Sequence, residues 1–315
     1  MQLDQLRALR ASVDAGTLDG AARLLGLTPS AVSQRLRALE TATGRVLLVR
    51  SRPVRVTPSG EAVLRLARQV EALVADTAAE LGGGAVPVVP VAVNADSLAT
   101  WFLPAVAPLA GEIAFDLHRA DESRTADLLR DGTVMAAVTV DATPVAGCRV
   151  TPLGVLRYRV LAAPAFARRW FPGGFPGGWE RAPVVVFDRT DDLQDAHLRR
   201  RGADPAAPPR HLVPSSADFV DAVRLGMGWG MVPDVQRPPG LVDLDPGGAA
   251  DVTLHWQRWR LRSAALDRVA AAVLAAGRAA LERPAGETSA RGRGSAVASR
   301  PSDDAAEAES RRLES

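Results

Sequence analysis

Apolar residues recur at helical spacing through the first forty residues, in three short segments separated by turn residues. The stretch 3–13 carries leucine or valine at every third or fourth position, which places them on one face of a helix. The stretch 17–40, TLDGAARLLGLTPSAVSQRLRALE, holds two further helices, because Gly26 can end the first and Thr28-Pro29 can cap the second. The residues expected to close their core are Ala21, Ala22, Leu24, Leu25, Leu27, Val32, Leu36 and Leu39. The pattern predicts a helix-turn-helix.

The second helix of this pair carries a polar stripe. Four residues spaced at i, i+3, i+4 and i+7 share one face, which is free to enter a DNA major groove. They are Ser30, Ser33, Gln34 and Arg37. Glutamine can bind adenine and arginine can bind guanine through paired hydrogen bonds. The alternative is an ordinary helical hairpin whose arginines, Arg35 and Arg37, only keep the helix solvated.

Alternating apolar and basic residues follow in VLLVRSRPVRVTPSG (46–60). They predict a short hairpin, or wing, whose Arg50 and Arg52 contact phosphates or a minor groove; the alternative is a solvated basic hairpin. Residues 1–60 hold nine arginines and four acidic residues, a net charge of +5 in a chain whose total is +2. This excess favours double-stranded DNA as the partner of the N-terminal region.

Thr57-Pro58 repeats the cap-and-proline signal and opens a helical pattern that runs to about Leu81. Apolar residues step along it by three and four positions, as in a coiled-coil seam. They are Val63, Leu66, Val70 and Leu73, followed by Thr77. A helix of ~24 residues is ~36 Å long, more than a small DNA-binding domain covers, so we expect it to pair with a second copy.

From Val86 onward, short β-branched runs alternate with helical stretches, which predicts an α/β fold with parallel strands and helices on both faces. The alternation occurs twice, with crossing strands at 156–164 and 252–260, so we expect two lobes around a ligand cleft. The predicted organisation is a winged helix-turn-helix at 1–60, a linker helix at 57–83, a two-lobed domain at 86–283 and a disordered tail at 284–315.

Several classes of protein are disfavoured by what the chain lacks. The single Cys148 forms no disulfide framework, and the four histidines show neither metal-ligand spacing nor a Ser/His/Asp order. No glycine loop of the phosphate-binding kind follows a strand. Residues 1–15 are charged and amphipathic, and no apolar run reaches 18 residues. We therefore expect a soluble cytoplasmic protein without membrane, metal or catalytic function.

Over residues 1 to about 283 the chain resembles the LysR-type transcriptional regulators. AARLLGLTPSAVSQRLRALE and LLVRSRPVRVTPSG carry the first half of this resemblance. The family pattern is a winged helix-turn-helix, a linker helix and a two-lobed effector domain similar to periplasmic binding proteins. The resemblance implies a homodimer or homotetramer that binds double-stranded DNA and recruits RNA polymerase, with a small-molecule effector and no cofactor.

The effector domain is more narrowly similar to the ArgP/LysG branch of that family. The resemblance rests on VNADSLATWFLPAVAP, DESRTADLLRDG, APVVVFDRTDDLQDAHL and the pair Ser215-Ser216. It implies an activator that responds to lysine or arginine and controls a gene for export of basic amino acids. The chain departs from the pattern in its arginine-rich wing, in FPGGFPGG (171–178) and in its extended tail.

Candidate effector-binding residues follow the ends of predicted strands, where ligands of α/β folds bind. They are Asn94, Asp96, Ser97, Asp121, Glu122, Asp188, Ser215 and Ser216. We expect Ser97 and Ser216 to open helices whose free N–H groups suit an α-carboxylate, while the acids suit an ammonium group and a cationic side chain. Asp96 and Asp188 could instead be cap or turn residues, and Asp121 and Glu122 a solvated loop.

Two other functions remain open at this point. One is a DNA architectural or replication-origin-binding protein, although structural DNA binding by itself has no need of a two-lobed ligand domain. The other is a LysR-type regulator with a different small-molecule effector, since the residues alone do not rank the possible ligands.

Overall fold

A computed structural model describes residues 1–49, 51–83, 86–120, 122–173 and 177–283. The predicted site residues Arg50 and Asp121 lie outside the described residues, and so does the predicted tail at 284–315. Glu122 is described through its backbone only.

The N-terminal region has the predicted helices and hairpin. Its elements are α1 (Leu3–Asp14), α2 (Leu18–Leu25), α3 (Pro29–Thr43), β1 (Leu48–Val49), β2 (Arg55–Val56) and α4 (Pro58–Glu80). The Thr28 hydroxyl accepts a hydrogen bond from the N–H of Ala31, and Thr57 caps α4 in the same way through Gly60. Gly26 ends α2 at a φ of +63°, a conformation that glycine adopts without strain. The helix-turn-helix and wing are therefore confirmed.

The core of this region agrees with the prediction except at Leu24. Ala21, Val32 and Leu39 are fully buried, and the small alanine lets α2 and α3 approach closely. Leu24 is 67% exposed because it lies about 100° around the helix from Leu25, away from the face that contacts α1 and α3.

Helix α4 divides the predicted coiled-coil seam between two surfaces. Val63 and Val70 contact the core of the helix-turn-helix, beside the fully buried Leu64 and Ala67. Leu66, Leu73 and Val74 face solvent in the single chain. Only part of the seam is thus free for a second copy.

Nine strands and seven helices of the described residues form the C-terminal region. The strands are β3 (Val88–Val93), β4 (Ala114–Arg119), β5 (Ala136–Thr139), β6 (Cys148–Ala162), β7 (Val184–Val186), β8 (Arg210–Leu212), β9 (Gly230–Pro233), β10 (Val242–Asp243) and β11 (Ala250–Trp259). The helices are α5 (Ala95–Ser97), α6 (Leu103–Val106), α7 (Glu122–Arg130), α8 (Pro164–Trp170), α9 (Leu193–Arg200), α10 (Ser216–Arg224) and α11 (Ala264–Ala280). A π-helical turn, Leu98–Phe102, joins α5 to α6.

Two lobes share the long strands β6 and β11. β3, β4 and β5 are parallel, as predicted, and β11 adds to β5 in the first lobe. In the second lobe β9 and β10 pair with the C-terminal half of β6, and β7 and β8 form a parallel pair. The crossing strands β6 and β11 are antiparallel, so the sheet is mixed where the sequence pattern predicted parallel strands. The expected α/β two-lobed fold is confirmed.

Arg68 on α4 connects the N-terminal region to the first lobe. One guanidinium nitrogen donates to Asp14 of α1 at 2.8 Å. The other donates to the Asp131 carbonyl oxygen and to the Thr133 hydroxyl, both at 3.0 Å, in the turn after α7. Gly132, at a φ of +82°, lets this turn approach the backbone of α4. None of the helices in the described ranges is long and apolar enough to span a membrane.

Candidate DNA-reading face and effector cleft

The polar stripe of α3 points away from the protein core. Ser30, Gln34 and Arg37 are exposed, and Ser33 is half-buried. Arg37 Nε donates to the Ser33 carbonyl oxygen at 3.3 Å, which holds its stem along the helix and leaves the outer nitrogens free. The amide of Gln34 has no hydrogen-bond partner among the described residues. The stripe is therefore available to a groove of DNA.

Arg35 does not belong to this stripe. Its guanidinium lies 3.2 Å from the Asp4 carboxylate of α1, so it joins two helices of the same region. Arg52 is exposed in the turn of the hairpin, where it can reach a phosphate. The hairpin is fixed to the turn after α1 because Val54 N–H donates to the Gly16 carbonyl oxygen at 2.9 Å.

The carboxylate of Asp96 lies where the two lobes meet, the region called the cleft below. Tyr158, on the crossing strand β6, donates to Asp96 Oδ2 at 2.6 Å. Ser216, the first residue of α10 in the second lobe, donates to Asp96 Oδ1 at 2.6 Å. Its hydroxyl also lies 2.9 Å from Oε1 of Gln236. One first-lobe carboxylate thus joins a crossing strand and the second lobe.

Asn94 and Ser97 stand beside Asp96 and are hydrogen-bonded to each other. Asn94 Oδ1 accepts the N–H of Ser97 at 2.8 Å, so Asn94 is the N-cap and the helical segment begins at Ala95. The expectation that Ser97 opens a helix with a free N–H is wrong, because that N–H is already used by the cap. The hydroxyl of Ser97 is buried without a hydrogen-bond partner in the described structure, as is Nε1 of Trp101 one turn later.

The Ser215-Ser216 pair does begin a helix, as predicted. Ser216 is the first residue of α10, and the side chain of Ser215 makes no capping bond. Backbone N–H groups of the first turn have no partner within their own helix. They remain available for an anionic group beside Asp96.

Asp188 organises its own turn. Its Oδ1 accepts hydrogen bonds from the N–H and hydroxyl of Thr190, at 2.7 and 2.6 Å, and from the N–H of Asp191 at 3.2 Å. The Thr190 hydroxyl bond is the main reason why the pKa of Asp188 lies below its usual range. These contacts are those of a turn residue, which is the alternative role that the sequence left open for Asp188.

Three cleft residues were missed by the sequence reasoning. Tyr158 and Gln236 reach the site from segments that follow no parallel strand. Tyr158 is the one tyrosine of the chain, a signal that composition could have provided. Arg119, at the end of β4, spans the lobes by donating to the Pro214 carbonyl oxygen at 3.0 Å, with its guanidinium 6.0 Å from the Phe187 ring. Its strand-end position resembles those of the predicted residues.

Comparison with known protein families finds a match for both the N-terminal and the C-terminal region. Residues 3–61 match the bacterial regulatory helix-turn-helix family of the lysR type, and residues 82–278 match the LysR substrate binding domain. The chain belongs to the LysR family. This LysR-family chain is a DNA-binding transcriptional regulator, and the resemblance inferred from its sequence is confirmed.

The chain is similar to LysG and ArgP regulators over most of its length. It is 43% identical to the lysine export transcriptional regulatory protein LysG of Corynebacterium efficiens, over 88% of this chain and 98% of that protein. Its structure is similar to LysG of Corynebacterium glutamicum with bound effector Arg, at 37% identity and a TM-score of 0.76, covering 90% and 100% of the two chains. ArgP of Mycobacterium tuberculosis is similar at 41% identity and a TM-score of 0.81, covering 89% and 98%.

Proposed function

We propose that this LysR-family regulator senses a basic amino acid, arginine or lysine, in the cleft around Asp96 and activates a gene for export of such amino acids. The observation that carries the proposal is the half-buried Asp96 carboxylate, held between the lobes by Tyr158 and Ser216. The LysG and ArgP relatives support the same choice, because one LysG structure has arginine as its bound effector.

The cleft offers complementary charges for such a ligand. Asp96 binds a cationic group of the effector, with Asn94 and Ser97 framing it. The α-carboxylate lies near the first turn of α10, at Ser215 and Ser216, or near the guanidinium of Arg119. Asp121, Glu122 and Asp188, the further acids predicted from the sequence, stay candidates for binding the cationic groups of the effector.

DNA binding divides between base reading and phosphate contacts. Ser30, Ser33, Gln34 and Arg37 face base edges in the major groove. Arg50 and Arg52 of the wing hold phosphates or a minor groove. The winged helix-turn-helix is assigned to 1–60, the linker helix to 57–83 and the effector domain to 86–283.

Regulation requires more than one copy of the chain. Helices α4 pair through Leu66, Leu73 and Val74 in a homodimer or homotetramer. Effector binding favours one placement of the lobes, and through Arg68 one placement of the DNA-binding regions relative to RNA polymerase. The protein acts in the cytoplasm without a catalytic step or a cofactor.

Calorimetric titration of the full-length protein with arginine, lysine and leucine tests the proposal. We expect saturable binding of the two basic amino acids and only dilution heat from leucine. Asp96→Asn should weaken binding by at least about tenfold, since a hydrogen bond to a charged group contributes about 1.5–3 kcal/mol. Asp192→Asn, at an exposed carboxylate paired with Arg199, is the matched control and should bind normally.

Failure of folded wild-type protein to bind either basic amino acid would overturn the effector assignment. If such a protein still bound DNA specifically, a different small-molecule effector or an architectural role in DNA would be favoured instead.

A further inference from the structure

An open hollow of about 440 Å³ lies in the first lobe, where β11 leads into α11 and next to the start of β6. Its lining is dominated by arginine, in contrast to the effector cleft with its central carboxylate. The lining residues that matter here are Arg149, Arg258, Trp259, Arg260, Arg262 and Asp267. Four guanidinium groups therefore face a single carboxylate.

Most of this positive charge is uncompensated. Asp267 is paired with Arg258, at 2.5 Å. Arg260 uses its Nε to donate to the Cys148 carbonyl oxygen at 3.1 Å, which is a neutral partner. Arg149 and Arg262 are exposed and form no ion pair or hydrogen bond with any residue that the structure describes. Three positive charges thus share one hollow without a counter-charge from the part of the chain that the structure describes.

Backbone hydrogen bonds and a buried tryptophan hold the segments that line the hollow in place. Trp259 is buried, its N–H donates to the Met135 carbonyl oxygen at 3.0 Å, and its Nε1 donates to the Leu129 carbonyl oxygen at 3.3 Å. Arg260 N–H donates to the Gly147 carbonyl oxygen at 3.0 Å. A preformed frame lowers the entropy lost when a ligand binds. The arginines therefore extend from a rigid base into a space that a ligand could enter.

We propose that this arginine hollow binds a phosphate-class polyanion. Guanidinium groups bind phosphate oxygens through paired hydrogen bonds. Three positive charges that are not neutralised favour a ligand with more than one negative charge. A single carboxylate would neutralise only one of them. The phosphates come either from a free small molecule with two or more phosphoryl groups or from the backbone of bound DNA, and the two sources can be distinguished.

Titration of the full-length protein with pyrophosphate at constant ionic strength tests the free-ligand source. We expect saturable binding that becomes at least about tenfold weaker in Arg149→Ala/Arg262→Ala. The control is Arg168→Ala/Arg181→Ala, which removes the same charge at exposed arginines outside the hollow. The control should bind like wild type. Equal weakening in both double variants would show a diffuse charge effect and overturn the proposal.

The salt dependence of binding to a duplex of random sequence tests the DNA source. If the hollow contacts backbone phosphates, Arg149→Ala/Arg262→Ala should reduce the slope of log K against log salt by about 0.9 per lost contact, and the control variant should not. A reduced slope without pyrophosphate binding assigns the hollow to DNA, and pyrophosphate binding with an unchanged slope assigns it to a free ligand. Absence of both effects overturns the proposal.

Discussion

The polar face of α3 and the effector cleft both present hydrogen-bonding side chains, but they are assembled differently. Ser30, Gln34 and Arg37 come from two turns of one helix and are exposed. In the cleft, Tyr158 and Ser216 reach Asp96 from positions 62 and 120 residues further along the chain. Helical periodicity alone creates the first site, whereas the second exists only once two lobes and a crossing strand have folded together.

The two sites also differ in how their polar groups are satisfied. The Gln34 amide has no protein partner among the described residues, so DNA would displace only water from it. The Asp96 carboxylate already accepts two short hydrogen bonds, one of which comes from the second lobe. A ligand that contacts Asp96 therefore changes a contact between lobes, which is what a sensor requires.

The largest expected effect on stability comes from a substitution in the core that supports the polar face of α3. Leu39→Ala should lower the free energy of unfolding by about 2–5 kcal/mol, because this fully buried side chain would leave a cavity in a small core. Denaturant unfolding of the full-length protein, together with DNA binding, measures it.

Leu24→Ala is the control within the same region, with an expected change within about 0.5 kcal/mol because Leu24 is exposed. Similar losses in the two variants would contradict the core described here.

We expect a fall in pH to destabilise the second lobe through protonation of His197. Burial lowers the pKa of this histidine to about 4, against the attraction of Asp245 and with Arg200 and Arg201 adding repulsion. In the unfolded chain this histidine binds a proton near pH 6.5, whereas in the folded chain it stays neutral until the pH approaches 4. Its contribution to the stability of the folded state relative to the unfolded state is therefore complete above pH 6.5 and is lost as the pH falls toward 4. The free energy of unfolding should fall by roughly 3 kcal/mol over this interval.

The pH dependence of denaturant unfolding checks this prediction. His197→Leu removes the titrating group from its contacts with Trp179 and Trp229, so its unfolding free energy should vary less between pH 6.5 and 4. An identical pH slope in wild type and variant would rule out His197 as the cause.

A smaller effect is expected at the base-reading face. Gln34→Ala should reduce discrimination between the promoter and random DNA by about 1–3 kcal/mol, since a paired hydrogen bond to a base would be lost. Competition gel shifts measure the ratio of the two affinities. Thr41→Ala changes an exposed residue near the far end of the same helix and should leave that ratio unchanged. Unchanged specificity in Gln34→Ala would remove this residue from the readout.

The smallest expected effect concerns the contact between the lobes. Ser216→Ala removes a hydroxyl that holds Asp96, and we expect arginine affinity to fall about fivefold, or about 1 kcal/mol. Ser59→Ala is the control, because it removes the same hydroxyl at an exposed serine of α4 outside the cleft and should bind arginine like wild type. Calorimetry on both variants decides whether the hydroxyl of Ser216 matters, and equal affinities would show that it does not.

Much of the fold was predictable because its signals are local. Thr28-Pro29 and Thr57-Pro58 set the starts of α3 and α4 through hydrogen bonds within three residues, and Gly26 ends α2 through its own backbone freedom. Leu24 was predicted wrongly, since apolar spacing does not say which side of a short helix its neighbours cover. The crossing strands were predicted at 156–164 and 252–260, but their antiparallel pairing was not, because strand direction depends on the path of the chain between strands.

The sequence by itself determined the helix-turn-helix, its polar stripe, the α/β character of the second region and the family, since periodicity, caps and motifs act over a few residues. The Asn94 cap and the Asp188 turn are contacts within three residues, and the sequence left both of them open as alternatives or unassigned. Only the tertiary structure decided that Tyr158 of the crossing strand and Ser216 of the second lobe meet at Asp96, with Gln236 beside Ser216. These contacts join residues far apart in the chain. Their geometry follows from how sheets, helices and lobes pack, which no local pattern encodes.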